Sequence, residues 1–482
     1  MRRHELHVII GAGIAGCTAA IMRRLAGYEV IILDKAKSSD PHIYPTCTET
    51  SCVVSENHSG AEYPYDAKST TDCLDGRIAN EHFFPDFIYA GKTHTRILAS
   101  LSMMQAGEDI ERRCRESLKV ITNHYAQRVE EDFDNRVFGD PGSICAELEE
   151  FDGVNDVAAA FVTPQRGLNP VYVAALLEAE IKRLGIEFRQ GHEVTSVEKN
   201  ADGSVTIHFL DESGYRETIN ADQICIAAAG RGLPLSKKLN PLLNLPQIYF
   251  ALRQISFANL PQGTYKSYTC LKLEDQYGGM LSPLNQECVM TYHPPAAHIE
   301  LAMVDPESGQ VPAAFLNKLY DGHPEVEQRA QQTLLRLRGF YPELEHAEIT
   351  NSYLKIAINT VDESRMRRNM PVFQVVPGCT MVVLPKWTMA VVNARKDLDL
   401  ALNHSVQQGT LTEAHKEAIL HQTRKHTLQI PERWKTDFST FLNIASQHAS
   451  NMRLPASIIY PMNIDNIHSL RVDYLDRSLN PV

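Results

Sequence analysis

The chain has 482 residues, 43% of them hydrophobic and 22% charged, with 47 basic against 59 acidic residues for a formal charge of −12. That is the composition of an ordinary globular protein, long enough for roughly two to four domain-sized units and a core that needs no disulfides. The acidic balance disfavours nucleic acid as a partner and supplies no attraction to anionic membranes.

In chain order, His7-Val8-Ile9-Ile10 predicts a buried parallel strand, which starts so near Met1 that we expect no signal peptide. Gly11-Ala12-Gly13-Ile14-Ala15-Gly16 follows, then an amphipathic helix from Cys17 to Ala26 with Gly27 where a C-cap falls, then a second buried strand, Val30 to Leu33, closed by Asp34. In this context Gly11 suits a tight turn, Gly13 a close backbone approach to a pyrophosphate, and Gly16 helix–strand packing, with the phosphates on the helix N-terminus. Asp34, 23 residues after Gly11, is placed for a ribose 2′-hydroxyl and disfavours NADP. FAD, NAD and a turn that binds nothing all remain open on this segment alone.

Residues 101–165 show a charged helical pattern that reads as an insertion with a solvated face. Residues 167 to 230 predict a helix from Val171 to Leu184, ended by Gly185, then a strand with Ile186 and Phe188 and another from Glu193 to Glu198. The alternating run Val205 to Phe209 turns at Asp211-Glu212-Ser213-Gly214, and a last strand, Gln223 to Ala227, enters Ala228-Ala229-Gly230. Further on come strands at Ile248–Ile255 and Cys288–Tyr292 and a helix from Pro324 to Gly339. A capping box, Thr410-Leu411-Thr412-Glu413, opens a helix through Thr427.

The ten cysteines form no C-x-x-C pair, and several lie in apolar segments, so we expect reduced thiols and a cytoplasmic protein. The longest apolar stretch, Met381 to Ala394, contains Lys386 and is too short to span a bilayer. His404, His415, His421, His426 and His448 never fall at i, i+3 or i, i+4, and read as surface histidines; no metal site is expected.

The order of the two motifs, Gly11–Gly16 with Asp34 and then the 167–230 block, resembles the D-amino-acid-oxidase-like flavoprotein family, which includes glycine oxidase, sarcosine oxidase and L-2-hydroxyglutarate dehydrogenase. In that family a G-x-x-x-P stretch precedes the helix, a valine backbone meets the adenine, and the last strand ends in A-T-G. Here Gly167 fits as G-x-x-P with Pro170, Val194 takes the adenine position, and Ala228-Ala229-Gly230 replaces A-T-G. The polar loop Ser55 to Tyr63, with His58-Ser59-Gly60, falls where the family sets small residues against the flavin. The segment 367–394 resembles the last FAD segment, with Pro385-Lys386-Trp387-Thr388 replacing the usual glycine-rich turn.

The resemblance implies an α/β fold: a Rossmann-like FAD-binding domain of the glutathione-reductase type, an inserted α+β substrate domain and a C-terminal helical region. The boundaries we expect are 1–100, 166–235 and 365–400 for the FAD-binding domain, 101–165 for a helical insertion, 236–364 for the substrate domain and 401–482 for the helical region. The implied cofactor contacts are Gly11, Ala12, Gly13, Ile14, Ala15, Gly16, Asp34, Lys35, Ser59, Gly60, Val194, Ala228, Ala229, Gly230, Pro385, Lys386, Trp387 and Thr388.

The implied activity is removal of a hydride from a small amino or hydroxy acid to FAD, with oxygen, a quinone or a carrier as final acceptor. No second G-x-G-x-x-G offers a nicotinamide site. Lys386, His58, Arg253 and Arg368 are the catalytic candidates. Lys386 suits negative charge on reduced flavin, or is a surface lysine. His58 suits a base or flavin contact, or is a loop histidine. Arg253 and Arg368, with Arg365 and Arg367, suit a carboxylate clamp; a surface arginine is the plain alternative for Arg253. Cys379 is a covalent flavin link or, better, a buried free thiol. The rivals are a non-catalytic FAD-binding protein, a NAD-dependent enzyme, and a flavin monooxygenase, whose late Gly-Asp motif is missing.

Overall fold

The structure, a computed structural model, describes residues 5–36, 56–64, 66–89, 95–101, 109–148, 151, 156–245, 247–260, 267–271, 279–284, 287–291, 299–321, 323–339, 341–361, 367–368, 372–383 and 386–451. The first strand, β1 (Leu6–Ile10), has parallel neighbours on both sides, which is why its residues are apolar without alternation. It leads into α1 (Ile14–Leu25) and back as β2 (Glu29–Leu33). Ala26 caps the helix and Gly27 follows at φ +94°, the left-handed position that glycine takes without strain. The other elements used below are α2 (Ala67–Phe83), α3 (Pro170–Arg183), β3 (Gln223–Ile226), β4 (Gln247–Asn259), β5 (Ile349–Val361) and α4 (Ala390–Gln407).

β1 lies inside a six-stranded sheet in the order Phe373–Val376, Cys379–Met381, β3, β1, β2, Glu187–Arg189. Every pairing is parallel except the edge hairpin that turns at Gly378. Helices α1, α3 and α4 cover one face, burying Ile9, Ile32, Val173, Leu177 and Leu398. On the other face Val8, Ile10 and Ile224 pack with Val197, Ile207 and Phe209 of a three-stranded meander, Glu193–Lys199, Val205–Leu210 and Arg216–Ala221.

A second, ten-stranded sheet is built on the long antiparallel pair β4 and β5, in register from Gln247 with Val361 to Ala258 with Ile349. Residues 101–165 do carry a 22-residue helix, Ile110–Glu131, with Ile110, Cys114, Ile121 and Tyr125 turned inward and Arg112 paired outside with Asp109 and Glu116. The strands around it, Arg96–Ser100 and Val157–Val162, pair with each other, and the former also with Tyr268–Leu271, so both belong to the large sheet.

A buried polar knot ties α1 to α4. Arg23 donates to both oxygens of Asp397 at 2.8 Å and to Thr380 Oγ1 at 3.0 Å. The His7 ring lies 3.1 Å from its guanidinium and stacks on Tyr28 at 3.8 Å between centroids.

The C-terminal helices Glu413–Arg424 and Phe438–Asn451 correct two expectations. The N-cap is Thr412, whose hydroxyl accepts from the His415 N–H, because the Thr410 hydroxyl is taken by Glu5 at 2.7 Å. His415 and His421 are exposed, but His404 and His448 are buried. His448 lies 2.9 Å from Glu178, and the half-buried His426 lies 2.8 Å from Glu180. These rings hydrogen-bond two buried carboxylates of α3, a partnership between segments far apart in the chain.

Candidate functional site

Parallel strands deliver their following residues to one sheet edge, where open α/β sheets bind ligands. Gly11 follows β1, Asp34 follows β2, Ala227 to Gly230 follow β3, and the strand Cys379–Met381 leads through Val383 toward Lys386. The turn after β1 is tight. Gly11 stands at φ +101°, and a Cβ there would lie 2.8 Å from the Ala227 carbonyl oxygen; one on Gly16 would lie 1.9 Å from the Gly11 oxygen. Gly13 differs, since a Cβ built on it meets nothing within 4 Å.

Asp34 spans the turn, its carboxylate accepting from the Ala12 N–H at 2.6 Å and the Ala36 N–H at 2.8 Å. Lys35 beside it is exposed. The Asp34 carbonyl accepts from the His192 N–H at 2.8 Å, which places Val194, paired with Phe209 across a bulge, just beyond. Ala229 holds φ +47°, a conformation costly for a residue with a Cβ. Gly230 is pressed on Phe250, whose Cζ would stand 2.4 Å from an added Cβ.

A second polar cluster forms where residues 57–63 meet residues 386–388, just before α4. Thr388 Oγ1 accepts from the His58 N–H at 2.9 Å, and its carbonyl accepts from Asn80 at 3.2 Å. Asn80 also donates to Asn57 Oδ1 at 3.0 Å. Gly60, at φ +94°, lies against Thr70, where a Cβ would clash at 2.3 Å. His58 Nδ1 lies 2.8 Å from Glu62 Oε2, while Glu62 Oε1 accepts from Gln165 at 2.8 Å.

Lys386 is buried, its ammonium 3.9 Å from the centre of the Tyr63 ring and 3.6 Å from Cys73 Sγ. Burial alone would raise the Glu62 carboxyl, but the His58 ring, the Gln165 amide and the Lys386 charge outweigh it and hold it below the usual carboxylate range. Burial pushes the Cys73 thiol up, against the pull of Lys386.

The structure thus brings together two groups of sequence-predicted residues: Gly11 to Gly16, Asp34 and Ala228 to Gly230 in one, His58 to Gly60 and Lys386 to Thr388 in the other. Pro385, Ser55 and Arg365 lie outside the described residues. Arg253 is half-buried in β4, in register with Lys355 and on the face that also carries Ile255 and Phe257. Arg368 pairs with Thr360, and Thr360 with Ile248, five residues from Arg253. Their backbones are therefore about 17 Å apart along the strand direction at ~3.4 Å per residue, with β5 between them. Strand register does not bring them to one point. Cys379 is a strand residue in the apolar core, its thiol pushed up to about 11 by burial. Gln165 and Asn80 carry no signal in the sequence, and Asn57 and Glu62 are marked there only as members of the Ser55–Tyr63 loop, Glu62 also by its i, i+4 spacing from His58.

The sequence matches the DAO family, described as FAD dependent oxidoreductase, over residues 7–354. The chain belongs to this family. Its fold is shared by L-amino acid deaminase from Proteus vulgaris at 13% identity, covering 84% of this chain and 94% of that one with a TM-score of 0.58. Glycine oxidase from Geobacillus kaustophilus is 14% identical over 85% and 96% of the two chains, with a TM-score of 0.53. L-alpha-glycerophosphate oxidase from Mycoplasma pneumoniae, solved with FAD bound, is 14% identical over 82% and 94%, with a TM-score of 0.55. At these identities the likeness is one of fold. A comparison with curated proteins finds no match. No helix among the described residues is long and apolar enough to cross a membrane.

The residues of this FAD dependent oxidoreductase fit its cofactor. Helix α1 starts at Gly13 with no side chain capping it, so its first N–H groups suit a pyrophosphate, and the open face of Gly13 allows the approach. Ser59 Oγ and Trp387 Nε1 are buried without a hydrogen-bond partner among the described residues, polar groups that a flavin ring edge suits.

Proposed function

We propose that the chain oxidises a small amino or hydroxy acid beside the cluster of His58, Glu62 and Lys386. The observation that carries this reading is the convergence of an imidazole–carboxylate pair and a buried ammonium just before α4. Bound FAD supplies the two-electron acceptor for a hydride leaving the substrate carbon. Gly11 to Gly16 and Asp34 would hold its phosphates and ribose, and Ser59, Trp387 and Thr388 would supply polar and ring contacts to its flavin.

His58 takes the proton of the substrate's amine or hydroxyl, a task suited to a ring that is 18% exposed beside a buried carboxylate. The buried Lys386 ammonium would supply a fixed positive charge to offset negative charge on the reduced cofactor. For the substrate carboxylate we assign Arg253 rather than Arg368. Ile255 and Phe257, on the same face of β4, pack into one core with Ala12 and Ile14 of the phosphate-binding turn. The names of the three neighbours, two acting on amino acids and one on a glycerol phosphate, support a substrate with a CH–NH or CH–OH group beside an anion.

The test is turnover with oxygen and, separately, with a quinone on amino acids, 2-hydroxy acids and the matching amines and alcohols without a carboxylate. We expect product from the acids only, and an Arg253→Met variant to raise KM about 10- to 100-fold. Equal turnover of the uncharged compounds would remove the carboxylate from the reading.

A further inference from the structure

Glu62 exchanges no proton in the chemistry above, yet two side chains from distant segments brace its carboxylate. It is buried, and one oxygen accepts from Gln165 Nε2 at 2.8 Å and from Thr269 Oγ1 at 3.4 Å. The other oxygen lies 2.8 Å from His58 Nδ1, an ion-pair contact off the line of the ring N–H and not a hydrogen bond. Gln165 is itself fully buried, and its Oε1 accepts from the Ser59 N–H at 3.3 Å. One amide therefore fixes both the carboxylate and the backbone beside the imidazole. Thr388 holds that backbone from the other side through the His58 N–H. A salt bridge that served only to close the 57–63 loop would need neither Gln165 nor Thr269, which come from distant strands and loops of the large sheet.

The groups facing the pair are the Lys386 ammonium, with Cys73 behind it, and Tyr63, whose ring meets His58 edge-on at 6.2 Å. His58 Nε2 makes no hydrogen bond among the described residues, so it is the nitrogen free for a substrate.

We infer that Glu62, held by Gln165, is a positioning residue that keeps the His58 proton on Nδ1 and presents Nε2 to the substrate's amine or hydroxyl. A carboxylate oxygen 2.8 Å from the far nitrogen repels a lone pair there and favours the proton on it, which sets the tautomer. The proton would pass from the substrate nitrogen or oxygen to Nε2, the electron pair it leaves would become the second bond to carbon, and FAD, when bound, would supply the acceptor for the hydride lost from that carbon. This inference rests on the proposed oxidation of an amino or hydroxy acid.

The experiment measures FAD reduction rates under anaerobic stopped flow for the FAD-loaded wild type and the Glu62→Gln, His58→Asn and double variants. Glycine, L-alanine, L-phenylalanine and L-lactate serve as probes, with FAD content and melting temperature checked for each protein. The expected result is a fall of about 10- to 100-fold for Glu62→Gln at saturating substrate with little change in half-saturation. In the His58→Asn background Glu62→Gln should add less than about twofold, because the carboxylate acts only through the imidazole.

A Glu62→Gln protein that loads FAD and reacts at the wild-type rate, or losses that multiply in the double variant, would overturn the positioning role alone. A wild type reduced by none of the four probes would overturn it together with the functional reading. Should Glu62→Gln lose FAD, Gln165→Met keeps the charge and loosens its brace. A severalfold fall in rate supports the role, and an unchanged rate overturns it.

Discussion

Arg23 and Asp397 form a two-point ion pair in which neither side chain reaches solvent, and it fastens α1, which follows the first strand, to α4. Removing one partner leaves the other charge buried and bare. Asp397→Ala should cost about 3–5 kcal/mol of stability, whereas an Arg23→Met, Asp397→Leu double variant should cost less than either single change. Urea unfolding of the four proteins checks this.

His7 lies against the same knot. Burial first, and then the Arg23 charge, lower its pKa to about 4 from an ordinary 6.5, against the pull of Glu5. The fold therefore holds the ring neutral while the unfolded chain takes up a proton. The stability this provides is complete above pH 6.5 and is lost as pH falls from 6.5 towards 4. The whole loss is on the order of 3 kcal/mol. A His7→Gln variant should be less stable at pH 7 yet nearly flat across that window, read from urea midpoints at half-unit steps.

The glycines of the first turn should separate folding from cofactor binding. Gly13 has φ −62°, and a methyl there meets nothing within 4 Å, so Gly13→Ala should keep its melting temperature and weaken FAD retention about 10-fold or more. Gly16→Ala would drive a Cβ to 1.9 Å from the Gly11 oxygen and should lower the melting temperature as well. Flavin-to-protein absorbance ratios and thermal melts tell the two apart.

Ala229 is the converse case. Its φ of +47° is one that glycine takes freely, and Ala229→Gly should leave stability unchanged or raise it by up to about 1 kcal/mol. Next to it Gly230→Ala, crowded by Phe250, should lose about 1–3 kcal/mol. Thermal melts of both variants give the signs.

The strand–turn–helix–strand unit was legible because its cues are local: apolar runs, three glycines and Gly27 as a helix stop all lie within 30 residues. The meander and the helix Pro170–Arg183 were legible for the same reason. What stayed hidden rests on pairs far apart in the chain. Gln165 reaches Glu62 across 103 residues, and His448 reaches Glu178 across 270. Nothing in an ordinary glutamine or histidine marks such a partner. The pairing of Arg96–Ser100 with Tyr268–Leu271, which draws residues near position 100 into the large sheet, is likewise set by tertiary register and not by propensity.

The most direct measurement is an anaerobic titration of the purified flavoprotein with glycine, L-amino acids and L-2-hydroxy acids, following the flavin band. Bleaching by at least one such acid, with the matching imino-derived or keto acid formed one for one, is the result this account predicts. A flavin that every acid leaves oxidised, while dithionite reduces it normally, would contradict it.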